Sequence, residues 1–223
     1  MCGRYSQTAS AEALQERFGF KPSAFPLKPR YNIAPSQEAP VVLLSREGRR
    51  LEMLRWGLIP SWSMDASVGR RLINARAETL MEKPSFRRPF ESGRCLVLAD
   101  GFYEWARLPG SRGRFPMRVT LSTRAPFAMA GLWDLWKGPA GGEIKSFAIV
   151  TAAAAPAIRA IHDRMPVILD SESERLWLNS KSEPEELHRI LVPWAGEELA
   201  AYEVSKLVNS PTNETPGCIE RAS

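Results

Sequence analysis

Short strand-like runs, each followed closely by turn residues, are what most constrain the fold of this 223-residue chain. Cys95 to Ala99, Gly101 to Ala106, Pro116 to Leu121, Phe127 to Leu132 and Ser146 to Thr151 are all about the length of an ordinary strand. Val41 to Ser45 and Leu51 to Trp56 form a further pair, joined by a turn around Glu47-Gly48. Val167 to Leu169 and Leu199 to Val204 are shorter candidates. The helical segments are equally brief. Ala11 to Phe18 follows a capping Ser10 and stops at Gly19. Ala75 to Met81, Pro156 to His162, Glu172 to Leu178 (with Ser171 as cap) and Glu185 to Ile190 add one to two turns each. Lys21 to Pro40, Gly57 to Arg71 and Lys83 to Gly93 read as loops. No repeat and no low-complexity linker divides the chain. Many short strands among short helices predict a single α+β domain built around a curved sheet, and the length suffices to bury its core.

Several classes are set aside. No run approaches the roughly 18 uninterrupted apolar residues of a membrane span. No cationic stretch followed by an apolar one opens the chain, so no signal peptide is expected, and a cytoplasmic protein is. Cys2, Cys95 and Cys218 lie far apart, and His162 and His188 are the only histidines. That pattern predicts neither a zinc site nor a disulfide framework, and no cofactor is expected. Charge is unevenly spread. Residues 1–124 hold 21 Lys+Arg against 11 Asp+Glu, whereas residues 125–223 hold 9 against 14. A basic half suits a polyanion, although arginine-rich surfaces also arise without one.

The opening Met1-Cys2-Gly3-Arg4 carries the sharpest chemical signal. Removal of Met1 would leave an N-terminal cysteine with an α-amine of pKa about 7.7–8.0 beside a thiol of about 8.5. An aldehyde meets such an amine as a Schiff base, and the thiol closes that imine to a thiazolidine. With Met1 retained, the thiol remains and the free amine is lost.

Other polar residues sit in unusual surroundings. Glu104 lies between Tyr103 and Trp105, where it is either a partly desolvated proton carrier or a surface residue of an edge strand. His162 follows an apolar turn and is either structural or a proton shuttle. Asn74 stands between Ile73 and Ala75. Arg4, Arg76, Arg87, Arg88 and Arg164 are candidate phosphate contacts, with Trp56, Trp62 and Phe86 interspersed. Arginines among aromatics suit single-stranded nucleic acid, though each tryptophan alone equally suits a core.

Ordered blocks unite these positions. They are Met1-Cys2-Gly3-Arg4-Tyr5, Tyr31-Asn32-Ile33-Ala34-Pro35, Arg55-Trp56-Gly57-Leu58-Ile59-Pro60-Ser61-Trp62 and Asn74-Ala75-Arg76-Ala77-Glu78-Thr79. Ser85-Phe86-Arg87, Arg94-Cys95-Leu96, Gly101-Phe102-Tyr103-Glu104-Trp105 and Ala130-Gly131-Leu132-Trp133 follow. Thr151, His162-Asp163-Arg164-Met165-Pro166 and Val204-Ser205 to Val208-Asn209 complete the set. In this order they resemble the SOS-response-associated peptidase (SRAP) family, over one domain spanning residues 2–218 with 219–223 as a short tail.

The resemblance implies a barrel-like mixed sheet with flanking short helices and a positive groove. It implies a protein of the DNA damage response that shields abasic sites in single-stranded DNA by covalent linkage through Cys2, acts as a monomer and associates with the nucleoid when bound. Cys2 would be the nucleophile, Asn74 would orient the N-terminus, and Glu104 and His162 would move protons. Arg4, Arg76, Arg87 and Arg164 would grip phosphates, with Ser85, Phe86 and Thr151 in the same DNA surface. Trp62 and Pro35 would stack or wedge at the lesion. Lyase-like and autoproteolytic activities belong to the same expectation. The rival reading is an N-terminal-nucleophile amidohydrolase or peptidase, which needs an oxyanion hole and an acyl pocket that the sequence does not identify.

Overall fold

The computed structural model describes residues 2–222 apart from 23–24, 108–112, 140 and 197. In chain order the strands are β1 (Tyr5–Gln7), β2 (Arg30–Ile33), β3 (Glu38–Ser45), β4 (Gly48–Trp56), β5 (Asn74–Arg76), β6 (Arg94–Ala99) and β7 (Gly101–Ala106). They continue as β8 (Phe115–Leu121), β9 (Phe127–Lys137), β10 (Glu143–Ala153), β11 (Arg164–Pro166), β12 (Ile168–Leu169) and β13 (Leu199–Glu203). The helices are α1 (Ala11–Phe18), α2 (Pro84–Ser92), α3 (Ser171–Leu178) and α4 (Pro184–Arg189), supplemented by 3-10 turns. The class is α+β.

Pairing closes five strands into a ring. β10 joins β4, β4 joins β3, β3 joins β6, β6 joins β9, and β9 returns to β10. Of these five pairings only β4–β10 is parallel, and β5 adds a second parallel partner to β10 outside the ring. A second sheet runs β13-β8-β7-β1-β2. Strand alternation puts successive residues on opposite faces, and here both faces are buried. Val42, Leu96, Ala130 and Val150 pack with Phe86, Phe90 and Trp177 of the helices. Val41, Val97, Met129 and Ile149 pack with Tyr5, Phe102 and Val119 of the second sheet, and Cys2 belongs to this cluster. Tyr5 meets Trp56 edge-on at 5.2 Å.

The helices follow local rules. In α1 the Ser10 hydroxyl accepts the Ala13 N–H at 3.2 Å, and Gly19 ends the helix in the left-handed region. α3 is capped by Asp170, one residue ahead of the expected Ser171, with its carboxylate accepting from the Ser173 N–H at 2.7 Å. Lys83 to Gly93, expected as loop, forms α2. Pro84 occupies the first turn, where a missing N–H costs nothing, and Phe86 and Phe90 bury one face. Lys21 to Pro40, also expected as loop, contains β2 and the start of β3, and Gly57 to Arg71 contains the 3-10 turn Ala66–Arg71. Ala75 to Met81 is not one helix but the end of β5 followed by the 3-10 turn Ala77–Thr79, because backbone pairing with Ile149–Thr151 overrides helix propensity. Among the described residues no helix is long and apolar enough to cross a membrane.

At Gly57 the chain leaves the barrel with φ +121, and a Cβ would lie 2.6 Å from the Gly69 carbonyl oxygen. The loop it starts returns at Leu58, whose N–H donates to Leu72 O at 3.0 Å. Residues 57–72 are thereby folded against the strand end that leads into Asn74.

Arg94 binds the two main helices to the barrel. Its buried guanidinium donates to Phe90 O and Glu91 O in the last turn of α2, and to Trp177 O and Asn179 O at the end of α3. A cation at two helix C-termini satisfies carbonyls that have no intrahelical partner and complements both dipoles. Replacing Arg94 with Met is expected to cost about 3 kcal/mol, because these buried acceptors lose a charged donor. Urea denaturation checks this: a loss below about 1 kcal/mol would show that the carbonyls are satisfied without it.

Candidate functional site

Antiparallel pairing of β1 with β7 sets the centre of the site. Tyr5 lies opposite Phe102, and the Tyr103 N–H donates to Arg4 O at 2.9 Å. The same register carried toward the N-terminus brings residues 2–3 alongside Glu104 and Trp105. Cys2 is fully buried there, and its thiol points toward Arg4 O at 3.9 Å. Asn74 reaches in from β5, and its Nδ2 donates to the Cys2 carbonyl at 2.8 Å. The position of Asn74 is fixed in turn by parallel pairing with Ile149 of β10.

His162 arrives from the other side. It follows the 3-10 turn Pro156–Ile158, and its backbone N–H donates to Ile158 O at 3.2 Å. The Arg164 N–H donates to its Nδ1 at 2.9 Å, while the Asp163 carboxylate also lies 2.9 Å from Nδ1. One nitrogen cannot accept the first and donate to the second in a single state. Accepting the backbone N–H at Nδ1 places the proton of the neutral ring on Nε2. Nε2 faces Glu104 Oε2 at 3.9 Å, just beyond direct hydrogen bonding.

Burial pushes the Glu104 carboxyl above its ordinary value, and the nearby His162 pulls the other way. Burial also pushes the Cys2 thiol up, and the Glu104 charge adds to the effect. The site thus sets a carboxyl that holds its proton more tightly than usual beside an imidazole and a buried thiol. An open cleft of about 530 Å³ is lined by Glu104, Trp105, Arg114, His162 and Asn209.

The cleft wall is tied together by Asn32, Asn209, Trp105 and Arg4. Asn32 donates through Nδ2 to Val208 O, Ser210 O and Asn213 O at 3.3, 2.9 and 2.8 Å. Trp105 Nε1 donates to Asn209 Oδ1 at 2.7 Å. Arg4 donates to Asn32 Oδ1 and to Val208 O, each at 2.7 Å, and lies over the Trp105 ring. Asn32 and Asn209 both fall in the recognised sequence blocks. Their contacts were hidden because 178 residues separate Asn32 from Ser210 and 104 separate Trp105 from Asn209.

The expected DNA-binding residues divide into three groups. Trp62 is 60% exposed, and Arg76 and Arg87 are exposed, Arg87 within reach of Glu91 at 3.7 Å. Arg4, Pro35, Ser85 and Arg164 are half-buried, Pro35 in the turn between β2 and β3. Phe86 is only 7% exposed and belongs to the helix-facing core, and Thr151 is fully buried. In this structure Phe86 packs in the core beneath α2, and the Thr151 hydroxyl lies 3.3 Å from Arg164. The Trp62 loop is braced from β9, where Asp134 accepts the Ser61 N–H at 2.8 Å and Trp136 Nε1 donates to Ser63 O at 2.7 Å. From α2, Arg88 donates to the Ser61 hydroxyl. Met64, unnoticed in the sequence, is 83% exposed beside Trp62. Among the described residues no group of three or more His, Cys, Asp or Glu is arranged to hold a metal ion.

Comparison with known proteins adds the following. Residues 1–211 match the family model described as SOS response associated peptidase (SRAP). The chain is 44% identical to the abasic site processing protein YoqW of Bacillus subtilis, over 99% of both chains. It is 34% identical to the abasic site processing protein HMCES of Gallus gallus, over 86% of this chain and 66% of that one. A crystal structure of a protein from Bacteroides thetaiotaomicron superposes with a TM-score of 0.88 at 29% identity, covering all of both chains.

The raised Glu104 carboxyl makes a signed prediction. The folded state holds this proton more tightly than the unfolded chain does, so folding takes up protons above the ordinary value of 4.5. Glu104 therefore favours the folded state at low pH, and that contribution falls as pH rises through its raised value. Relative to Glu104→Gln, the wild-type protein should lose thermal stability as pH increases from about 4.5. Parallel pH profiles for the two proteins would show that the carboxyl is not desolvated.

Proposed function

Because the chain belongs to the SOS response associated peptidase family, we propose that it captures abasic sites in single-stranded DNA through a covalent bond to Cys2. The observation that carries this reading is the meeting of Cys2, Asn74, Glu104 and His162 from four separate segments beside one cleft. The curated relatives are named for abasic site processing, which supports the same substrate.

The chemistry follows from the geometry. Loss of Met1 frees the Cys2 amine, and Asn74 holds the Cys2 carbonyl so that amine and thiol keep a fixed direction. An abasic sugar must first open to its aldehyde, which needs a proton delivered to the ring oxygen. His162 Nε2–H and the Glu104 carboxyl are the available carriers. Since burial keeps the thiol protonated, the amine acts first. Its nitrogen adds to the aldehyde carbon, and the carbinolamine loses water to give the imine. The sulfur then adds to the imine carbon while the thiol proton passes to nitrogen, which closes the thiazolidine. An open imine invites β-elimination and strand cleavage, a lyase outcome that ring closure suppresses. Covalent capture splits one slow hydrolysis-prone encounter into short steps. Exposed Trp62 offers a stacking face for a base beside the lesion, and exposed Arg76 and Arg87 offer charge to the backbone.

Intact mass spectrometry with a single-stranded oligonucleotide carrying one abasic site tests the reading. The expected product is the Met1-free protein plus DNA minus one water, and a confirmed Cys2-terminal protein that gives no adduct would overturn it. Cys2→Ala should abolish the stable product. Cys2→Ser should give an imine that borohydride traps. His162→Ala should slow crosslinking by about 100-fold while leaving affinity for the strand within a few-fold. Equal losses in rate and affinity would reduce His162 to a structural part.

A further inference from the structure

Arg164 is already occupied. Its Nη1 and Nη2 form a two-pronged contact with Glu78 Oε1 and Oε2 at 2.5 and 2.9 Å. Nη2 also donates to Thr151 O at 2.6 Å and approaches Thr151 Oγ1 at 3.3 Å. The two partners are unequal. The Arg164 side chain is 15% exposed and is anchored to fixed atoms of β10, whereas that of Glu78 is 53% exposed on the 3-10 turn Ala77–Thr79. Glu78 can leave without moving the guanidinium, because the Thr151 contacts remain. A carboxylate and a phosphate present the same two-oxygen edge to a guanidinium. Arg76, two residues before Glu78 at the end of β5, is exposed, is without an ion pair among the described residues, and adds to the field that favours ionised Glu78.

We propose that the Glu78 carboxylate occupies the place a strand phosphate takes at Arg164, and so acts as a built-in competitor that lowers affinity for single-stranded DNA. This rests on the single-stranded DNA reading above. Glu78 then works as a specificity-determining residue: any strand must displace it, and weakly held undamaged strands gain least from doing so. A lesion that goes on to react with Cys2 is retained by its covalent bond instead.

The test uses the full chain and an undamaged, labelled oligonucleotide, so that crosslinking does not enter. Binding is titrated against salt for the wild-type protein, Glu78→Gln, Arg164→Gln and the double variant, with Glu82→Gln as a neighbouring charge control. Glu78→Gln is expected to bind about fivefold more tightly at low salt. Its plot of log K against log salt should be steeper by up to about 0.7, the increment for one phosphate contact on a single strand. Both gains should vanish in the Arg164→Gln background. An equal gain from Glu82→Gln, a gain that survives Arg164→Gln, or unchanged or weaker binding by Glu78→Gln would overturn the competitor role while leaving the DNA reading intact. A wild-type protein that binds no single strand would overturn both.

Discussion

Backbone hydrogen bonds along both edges of β10 hold this molecule together. One edge carries β9 from Glu143 to Ile149 and then β11 from Thr151 to Ala153. The other carries β4 at Ser146–Phe147 and then β5 at Ile149–Thr151. The first half of the strand closes the barrel. The second half hangs Asn74, Arg76 and Arg164 around one strand end, two of them by parallel register. A parallel β5 needs its chain to travel back from β4, and the loop pivoting at Gly57 makes that journey while presenting Trp62 at its tip. One strand therefore serves both the core and the chemistry, and damage to its pairing cannot be confined to either.

The buried placement of Cys2 runs against the usual picture of a reactive thiol, which sits in an electropositive and partly open site. Here desolvation and a neighbouring carboxyl both disfavour the thiolate. Burial thus shields this thiol from solvent and disfavours its ionised form at the same time.

Much of this was legible in the sequence. The apolar cores of β3, β6 and β7 stood out because both faces are largely buried, and β4 through its buried Leu51, Leu54 and Trp56. β9 and β10 run further than their apolar centres because a polar ribbon extends them, stitched by the Lys137–Glu143 pair at 2.9 Å. The very short strands β1, β2, β5 and β11 carry no period of their own and exist through distant partners. α2 was obscured by Pro89, which the helix tolerates because it withdraws a partner only from the Ser85 carbonyl in the first turn. Ala75 to Met81 misled in the opposite way, since good helix formers were drawn into pairing with β10. Individual site residues were readable through the family blocks. Their contacts were not, for Asn32 with Ser210, Asp134 with Ser61 and Arg164 with Glu78 all join segments far apart in the chain.

The hydrogen bond from the Arg164 N–H to His162 Nδ1 has a mechanical meaning. The side chain of Arg164 reaches Glu78 and Thr151, and its peptide nitrogen meets the imidazole beside Glu104. Two peptide links separate the group that would hold the backbone of a nucleic acid from the group that moves protons. Because Arg164 is itself paired with Ala153 of β10, the orientation of the imidazole is set by the register of the barrel rather than by the loop that carries it.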